Sequence, residues 1–196
     1  WVHGLPLGSA AARGGFERVV LHHDRDLSHL PFWHELVTTP KIETRAIDTR
    51  GLFARCGASA SALETLFGEL DKPEARANVL RAALLFAEGG VYLDTDTVTI
   101  SDLTSLLDGG GALCGQERVV RPAQLIRNSN LRRRLATFAR SRARDVLRIA
   151  PSGWKLFRAL ESLYPLAVNN AVLGSEAGHP FLAVLLERMA ASSKQQ

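Results

Sequence analysis

The chain holds 196 residues with a formal net charge of +4; 46 % are hydrophobic and 22 % charged. That is enough for one domain with a real core, or one domain with an insertion, in the composition range of soluble globular proteins. No apolar run approaches the ~20 residues that a membrane-spanning helix requires, and Cys56 and Cys114, far apart without C-x-x-C spacing, do not read as a disulfide framework or a zinc site.

The two cysteines are expected to be reduced, packed thiols, which predicts a cytoplasmic protein. No secretory signal is visible. The chain starts at Trp1 without a methionine, so a trimmed start is expected, and a targeting segment could have been lost with it. Arginine supplies 20 of the 24 basic residues, and with abundant alanine this points to a GC-rich bacterial genome.

In chain order, Trp1–Leu7 reads as the end of a strand, its start missing, that runs into a Gly-Pro loop. Arg18–His22 (RVVLH) is a strand, Leu30–Val37 a short helix with Pro31 near its start, and Thr44–Ile47 a strand. Ser59–Phe67 is helical and is expected to end at Gly68. The clearest helix follows: Asp71 as N-cap, Pro73 and Glu74 in the first turn, Gly89 as the stop. Its polar positions Glu74, Asn78, Arg81 and Glu88 fall on one stripe, and the remainder is Ala, Val, Leu and Phe. Arg81 therefore either pairs with Glu74 or Glu88 or aims its guanidinium at a ligand.

Val91–Asp94 is a strand; Val98–Ile100 continues it or starts another. Ser101–Leu107 has a Ser-Asp opening and helically spaced leucines; Asp108–Gly111 is a turn and Ala112–Gly115 a strand. From Arg118 to Arg148 there are ten arginines and one acid, Asp145. Leu131–Ile149 within that segment is a long helix with Leu131, Leu135, Phe138 and Val146 near one face, ended by Pro151 and Gly153. The arginines form either a solvated helix face or a patch for an anionic partner; no nucleic-acid motif accompanies them. Lys155–Tyr164 and Pro180–Met189 are the last helices. Strands alternating with helices predict an α/β domain.

The chemistry concentrates in Asn78–Ile100, NVLRAALLFAEGGVYLDTDTVTI. Residues i and i+2 of a strand share a side, so Asp94 and Asp96 are expected to converge where the strand runs out. Two carboxylates so placed form a hard oxygen set suited to Mg²⁺ or Mn²⁺. Elsewhere, His22, His23 and Asp24 look like a ligand cluster, but neighbours on a strand diverge, so a strand-end loop is expected. His179 reads as a neighbour of a helix start, and Trp33 and Trp154 as packing aromatics. Asn169 and Asn170 are either a turn or part of a site.

The stretch ARANVLRAALLFAEGGVYLDTDTV resembles the DXD sugar-binding glycosyltransferases, among them yeast-type mannosyltransferases, capsular polysaccharide transferases and the catalytic domains of large clostridial glucosylating toxins. NNAVLGSEAGHPFLAVLLERM (Asn169–Met189) and WVHGLP (Trp1–Pro6) are weaker matches in the same order. The resemblance implies a GT-A-like α/β fold, a mixed sheet flanked by helices with a helical insertion around residues 131–165. It implies one domain over residues 1–196, expected to lack part of its first strand and its C-terminal lid.

By the same resemblance, a UDP-sugar is the favoured donor of a hexose or N-acetylhexosamine, with a divalent metal, Mn²⁺ or Mg²⁺, and retention at the anomeric carbon. Asp96 binds the metal; Asp94 contacts the metal, the donor's hydroxyls, or both. Arg81, Asn78 and Tyr92 hold the donor, Trp1 stacks on its base, and Asn169 and Asn170 lie on the acceptor side. The acceptor is a glycan, lipid-linked or protein acceptor. The charge of the Arg118–Arg148 segment, not the resemblance, predicts peripheral contact with an anionic membrane rather than with nucleic acid. Asn78 departs from the toxins, which carry an aspartate three residues before the arginine; an amide still hydrogen-bonds but bears no charge.

Three rivals remain. DTDTV also fits the first motif of haloacid-dehalogenase-type phosphatases, which need a downstream lysine and an acidic pair; after Asp96 the only lysines are Lys155 and Lys194, and Asp-Asp or Gly-Asp pairs are absent from the C-terminal half. The second is a glycosyltransferase-like domain that binds nucleotide sugar or glycan without turnover. The third, a basic nucleic-acid or membrane adaptor, rests only on the arginine run.

Overall fold

The computed structural model describes residues 4–118 and 130–192. Trp1 and residues 119–129, the first part of the arginine-rich segment, lie outside them. The chain divides into two units, one made of residues 1–114 and 171–196, the other of residues 115–170.

The first unit opens with α1 (Gly4–Arg13), not the strand end expected there. Pro6 sits in the first turn, where a missing N–H costs nothing, and Ala10, Ala11 and Ala12 are strong helix formers. Strands β1 (Val19–His23) and β2 (Ile42–Ala46) then pair in parallel, Val19 opposite Ile42 through His23 opposite Ala46. Parallel pairing requires a crossover, which carries α2 (Trp33–Thr38). Helix α3 (Thr49–Ala54) was not foreseen; Asp48 caps it, accepting from the Gly51 N–H at 3.0 Å. Helix α4 (Ala60–Glu69) runs through Gly68 rather than stopping at it, since the chain turns extended only at Leu70.

Helix α5 (Pro73–Glu88) starts with Pro73 at its first position. Lys72, not Asp71, occupies the cap position, and no side chain caps the end; the fixed φ of proline sets the start instead. Gly89 terminates the helix at φ +70°, its N–H closing on the Leu85 carbonyl at 2.9 Å. A Cβ on Gly89 would also lie 2.8 Å from the Ala177 nitrogen, so glycine permits a close approach there.

Strand β3 (Gly90–Leu93) runs antiparallel to β5 (Leu166–Ser175), Gly90 opposite Ser175 and Leu93 opposite Val172. The sheet order is β3-β5-β4, with β4 at Ala112–Arg118. Val98–Ile100 is not a strand: the Thr99 N–H bonds to Ser9 Oγ at 2.9 Å instead of to a ladder. Of Ser101–Leu107 only a 3₁₀ turn at Thr104–Leu106 forms, held by Asp102 accepting from the Thr104 N–H at 2.7 Å. The final helix of the chain, α8 (Pro180–Ser192), packs on α4 and α5.

The core of this unit is helical. Phe53, Leu63, Val79, Ala83 and Leu186, drawn from α3, α4, α5 and α8, are almost wholly buried, and each large apolar side chain among them stabilises by roughly 1.5–3 kcal/mol. The Gly178 N–H donates to the Phe86 carbonyl at 2.8 Å, which ties the loop before α8 to the end of α5. Two segments some ninety residues apart in sequence thus meet at the Gly89–Gly90 break.

The second unit contains α6 (Leu131–Ile149), with the bounds read from the sequence, then α7 (Gly153–Leu160) and a 3₁₀ turn at Glu161–Leu163. Gly153 is required between the helices, because a Cβ there would collide with the Leu147 carbonyl. Tyr164 is the buried pin of the unit: its hydroxyl donates to the Arg140 carbonyl at 3.1 Å, and its carbonyl accepts from Arg118 Nη1 at 3.2 Å. The chain is a mixed α/β structure, the class the sequence predicts.

Candidate active site

Helix α5 carries Arg81 on its polar stripe, and that residue is 8 % exposed. Burying a guanidinium without a partner is costly. Its partner is neither Glu74 nor Glu88: Arg81 Nη2 lies 3.2 Å from Asp94 Oδ1, and its guanidinium lies over the Tyr92 ring at 4.6 Å. Glu88 pairs with Arg45 at 3.1 Å and Arg55 at 3.3 Å.

The Tyr92 hydroxyl donates to the same Asp94 oxygen at 2.8 Å. Tyr92 and Asp94 are two apart along β3 and its extension, so the strand period places them on one side. One carboxylate oxygen is thus held by a cation and a phenol, with the cation stacked on the phenol ring. Burial, and next the hydrogen bond to Asp94, push the Tyr92 hydroxyl up to about 12. Tyr92 is a neutral donor across the physiological range.

The two aspartates are presented by a turn rather than by strand alternation. The β3 ladder ends as the Asp94 N–H bonds to the Ala171 carbonyl at 2.8 Å, and the Thr97 N–H then closes on the Asp94 carbonyl at 2.9 Å. Asp96 sits exposed within that turn, while Asp94 is partly buried. The strand ends because the chain must fold back after Leu93, which the period-2 reading did not foresee.

Asn78 lies one helical turn before Arg81 and is half-buried. Asn169 and Asn170 lie in β5, half-buried and exposed respectively, and so in a strand rather than a turn. Asn170 immediately precedes Ala171, whose carbonyl holds the Asp94 N–H. Trp1 is outside the described residues.

A cleft of about 400 Å³ adjoins the aspartate turn. It is lined by Leu7 and Ala10 of α1, Arg18–His22 at β1, the end of α5, β3, and Asp94, Thr95 and Thr97. Burial lowers the proton affinity of His22 at its edge, against the opposing pull of Glu88. His23 makes a strand-end contact, Nδ1 to the Arg25 carbonyl at 2.8 Å, and stacks edge-on with Trp33. His179 Nδ1 accepts from the Phe181 N–H at 3.2 Å, as a helix-start residue does. Among the described residues no three His, Cys, Asp or Glu side chains cluster as a ready-made metal site.

Sequence reasoning named Arg81, Tyr92 and Asp94 separately but missed that they bond to one another. The available signal was the spacing of Tyr92 and Asp94 on one strand face, opposite a buried cation with no acid one turn away on its own helix.

Residues 18–111 match the family described as glycosyltransferase sugar-binding region containing DXD motif. The match runs from the start of β1 to the start of β4 and includes the stretch with Asn78, Arg81, Tyr92, Asp94 and Asp96; the weaker stretches Trp1–Pro6 and Asn169–Met189 lie outside it. Among solved structures, the ligand-free glycosyltransferase domain from the YGT toxin is similar at 14 % identity with a TM-score of 0.42, over 83 % of this chain and 37 % of that one. The UDP-bound form of that domain gives 16 % identity and a TM-score of 0.37 with the same coverage. The chain therefore spans 37 % of the length of those structures. No curated protein is similar enough to count as a relative.

Proposed function

We propose that the chain is a metal-dependent glycosyltransferase of GT-A-like fold that moves a hexose or N-acetylhexosamine from a UDP-sugar to a glycan, lipid-linked or protein acceptor with retention. The observation that best supports this is the fixing of Asp94 by Arg81 and Tyr92 at the head of the DXD turn. Both contacts fall on Oδ1, which leaves Oδ2 for a ligand. A carboxylate fixed in this way is preorganised to hold a cation that would offset the charge on a departing diphosphate.

Asp94 and Asp96 offer hard oxygen donors that fit Mn²⁺ or Mg²⁺, with donor phosphates and water completing the shell. When bound, the ion would neutralise charge on the leaving diphosphate. The chain's own residues orient the donor. Tyr92 and Arg81 hold the Asp94 carboxylate in place; Asn78, one turn away, supplies an uncharged hydrogen-bonding group toward the sugar; Trp1 stacks on the uracil; Asn169 and Asn170 serve the acceptor side. No side chain at the site is a convincing covalent nucleophile. The bond from the anomeric carbon to the diphosphate therefore breaks as the acceptor hydroxyl attacks the same face, its proton passing to the leaving phosphate oxygen.

The protein works in the cytoplasm, where the free thiols of Cys56, buried, and of Cys114, exposed rather than packed as expected, remain reduced, in peripheral contact with an anionic membrane through Arg118–Arg148. No helix among the described residues is long and apolar enough to cross a membrane.

The test is a panel of nucleotide sugars with Mn²⁺, read by thermal shift and by nucleoside diphosphate release. Wild type should respond to a UDP-sugar in both, and Asp96→Ala in neither; equal responses from the two proteins would sink the catalytic assignment. One observation favours a second reading, a binding domain without turnover: Asn78 provides an amide where the toxins carry an acid. That reading expects a thermal shift with no diphosphate released.

A further inference from the structure

Helix α6 is built inside out. At about 100° per residue, Leu131, Leu135, Phe138, Val146 and Ile149 fall within a stripe roughly 80° wide. Such a stripe normally faces a core. Here the five are 66, 59, 50, 65 and 85 % exposed, while Thr137, Arg144 and Leu147, on the other side of the helix, are half-buried. The apolar face points to solvent and a largely polar one is turned inward. Trp154 and Leu156 of α7 are also exposed. Leaving this much apolar surface in water forfeits stabilisation that burying it would supply, and exposed patches of this kind mark interaction sites.

Charge selects the occupant. Residues 115–170 contain twelve Lys and Arg against three Asp and Glu; the rest of the chain contains twelve against seventeen. A second copy of the same face would set one strongly cationic surface against another. Nucleic acid would satisfy the arginines but leave the apolar stripe in water. An anionic bilayer surface satisfies both, since the stripe enters the acyl boundary while the arginines reach phosphate headgroups. Arg142 lies within the stripe with its guanidinium 5.2 Å over the Phe138 ring, and its flexible stem can carry the charge to the level of the headgroups as the ring inserts.

We propose that α6 lies in the plane of an anionic membrane, its Leu131–Ile149 stripe inserted and the exposed Arg132, Arg134 and Arg142, beside or within that stripe, on the lipid phosphates. The proposal rests on the membrane contact named above and narrows it from a charged segment to one helix face; it does not depend on sugar transfer. The test is co-sedimentation of the whole chain with vesicles of phosphatidylcholine alone, or with phosphatidylglycerol added, without nucleotide. Wild type should bind the mixed vesicles and not the neutral ones. Leu135→Asp with Phe138→Asp should lower partitioning by more than about tenfold, because apolar insertion is lost. Arg132→Gln should lower it about fivefold, and more salt should weaken the remainder. All three positions are exposed, and circular dichroism checks that the variants still fold. Undiminished binding by the double Asp variant overturns the inserted stripe but leaves a purely electrostatic membrane contact. No binding by wild type overturns both. Dimerisation that the double Asp variant abolishes, seen by sedimentation velocity without vesicles, assigns the stripe to a second copy instead.

Discussion

Helices α5 and α6 are both amphipathic, both carry arginine, and they use these residues in opposite ways. In α5 the apolar majority packs on α3, α4 and α8, and one arginine is drawn inside to meet Asp94 and Tyr92. In α6 the apolar stripe is left in water, with the exposed Arg132, Arg134 and Arg142 beside or within it. Each helix even holds an arginine over an aromatic ring, Arg81 over Tyr92 and Arg142 over Phe138. The first pair is desolvated and bonded to a carboxylate; the second is open to solvent. The difference shows that amphipathicity identifies a face and leaves open what covers it. Where the chain covers the face itself, a charged residue on the other stripe becomes part of a site. Where it does not, the face is available to another surface.

The sharpest way to break this contrast is Arg81→Ala. It leaves Asp94 and Tyr92 without their cation, and removing one partner of a buried ion pair costs about 3 kcal/mol or more. Nucleotide release should also fall by about 10²–10³, as for the loss of a preorganised charge at a leaving group. Urea melts and the diphosphate-release assay measure the two effects. Arg142→Ala, the control in α6, should change stability by no more than about 0.5 kcal/mol. Equal effects from both substitutions would show that Arg81 is only a surface cation.

A paired leucine substitution compares the apolar faces directly. Leu85 of α5 is 4 % exposed and Leu135 of α6 is 59 % exposed. Leu85→Ala should cost about 2–5 kcal/mol through lost burial and the cavity left behind. Leu135→Ala should fall within about ±0.5 kcal/mol. A large loss at Leu135 in the absence of membrane would mean that the stripe is covered by protein.

The sequence reveals what is local. Pro73 and the Gly89–Gly90 pair bracket α5, and the leucine and arginine periodicity places α6 at its observed ends, because both rest on signals within a few residues. What failed to show was set by distant partners. β5 escaped notice because Asn169 and Asn170 interrupt its apolar alternation, and only its pairing with β3 makes it a strand. The start of α1 reads as a strand end because Gly4 and Pro6 look like loop residues, yet proline is tolerated in a first helical turn and the alanines that follow carry the helix. The partner of Arg81 was sought along its own helix, and it lies thirteen residues further on, beyond the Gly-Gly break. The inverted face of α6 was likewise invisible, since periodicity carries no direction.

The smallest expected effect divides Arg81's two partners. Tyr92→Phe keeps the ring under the guanidinium and removes only the hydroxyl that donates to Asp94 at 2.8 Å. A lost hydrogen bond of this kind costs about 1 kcal/mol, and activity should fall roughly tenfold as the carboxylate loosens. The substitution also has a pH signature. The folded chain holds the Tyr92 proton up to about 12, against 10 for an ordinary phenol. The folded state therefore binds more protons than the unfolded state between those values, so stability falls as pH rises through the window. The contribution is complete below pH 10 and lost by about pH 12. In Tyr92→Phe the urea midpoint should fall less steeply from pH 10 to 12 than in wild type. An unchanged slope would place the alkaline transition on another group and free Tyr92 from its bond to Asp94.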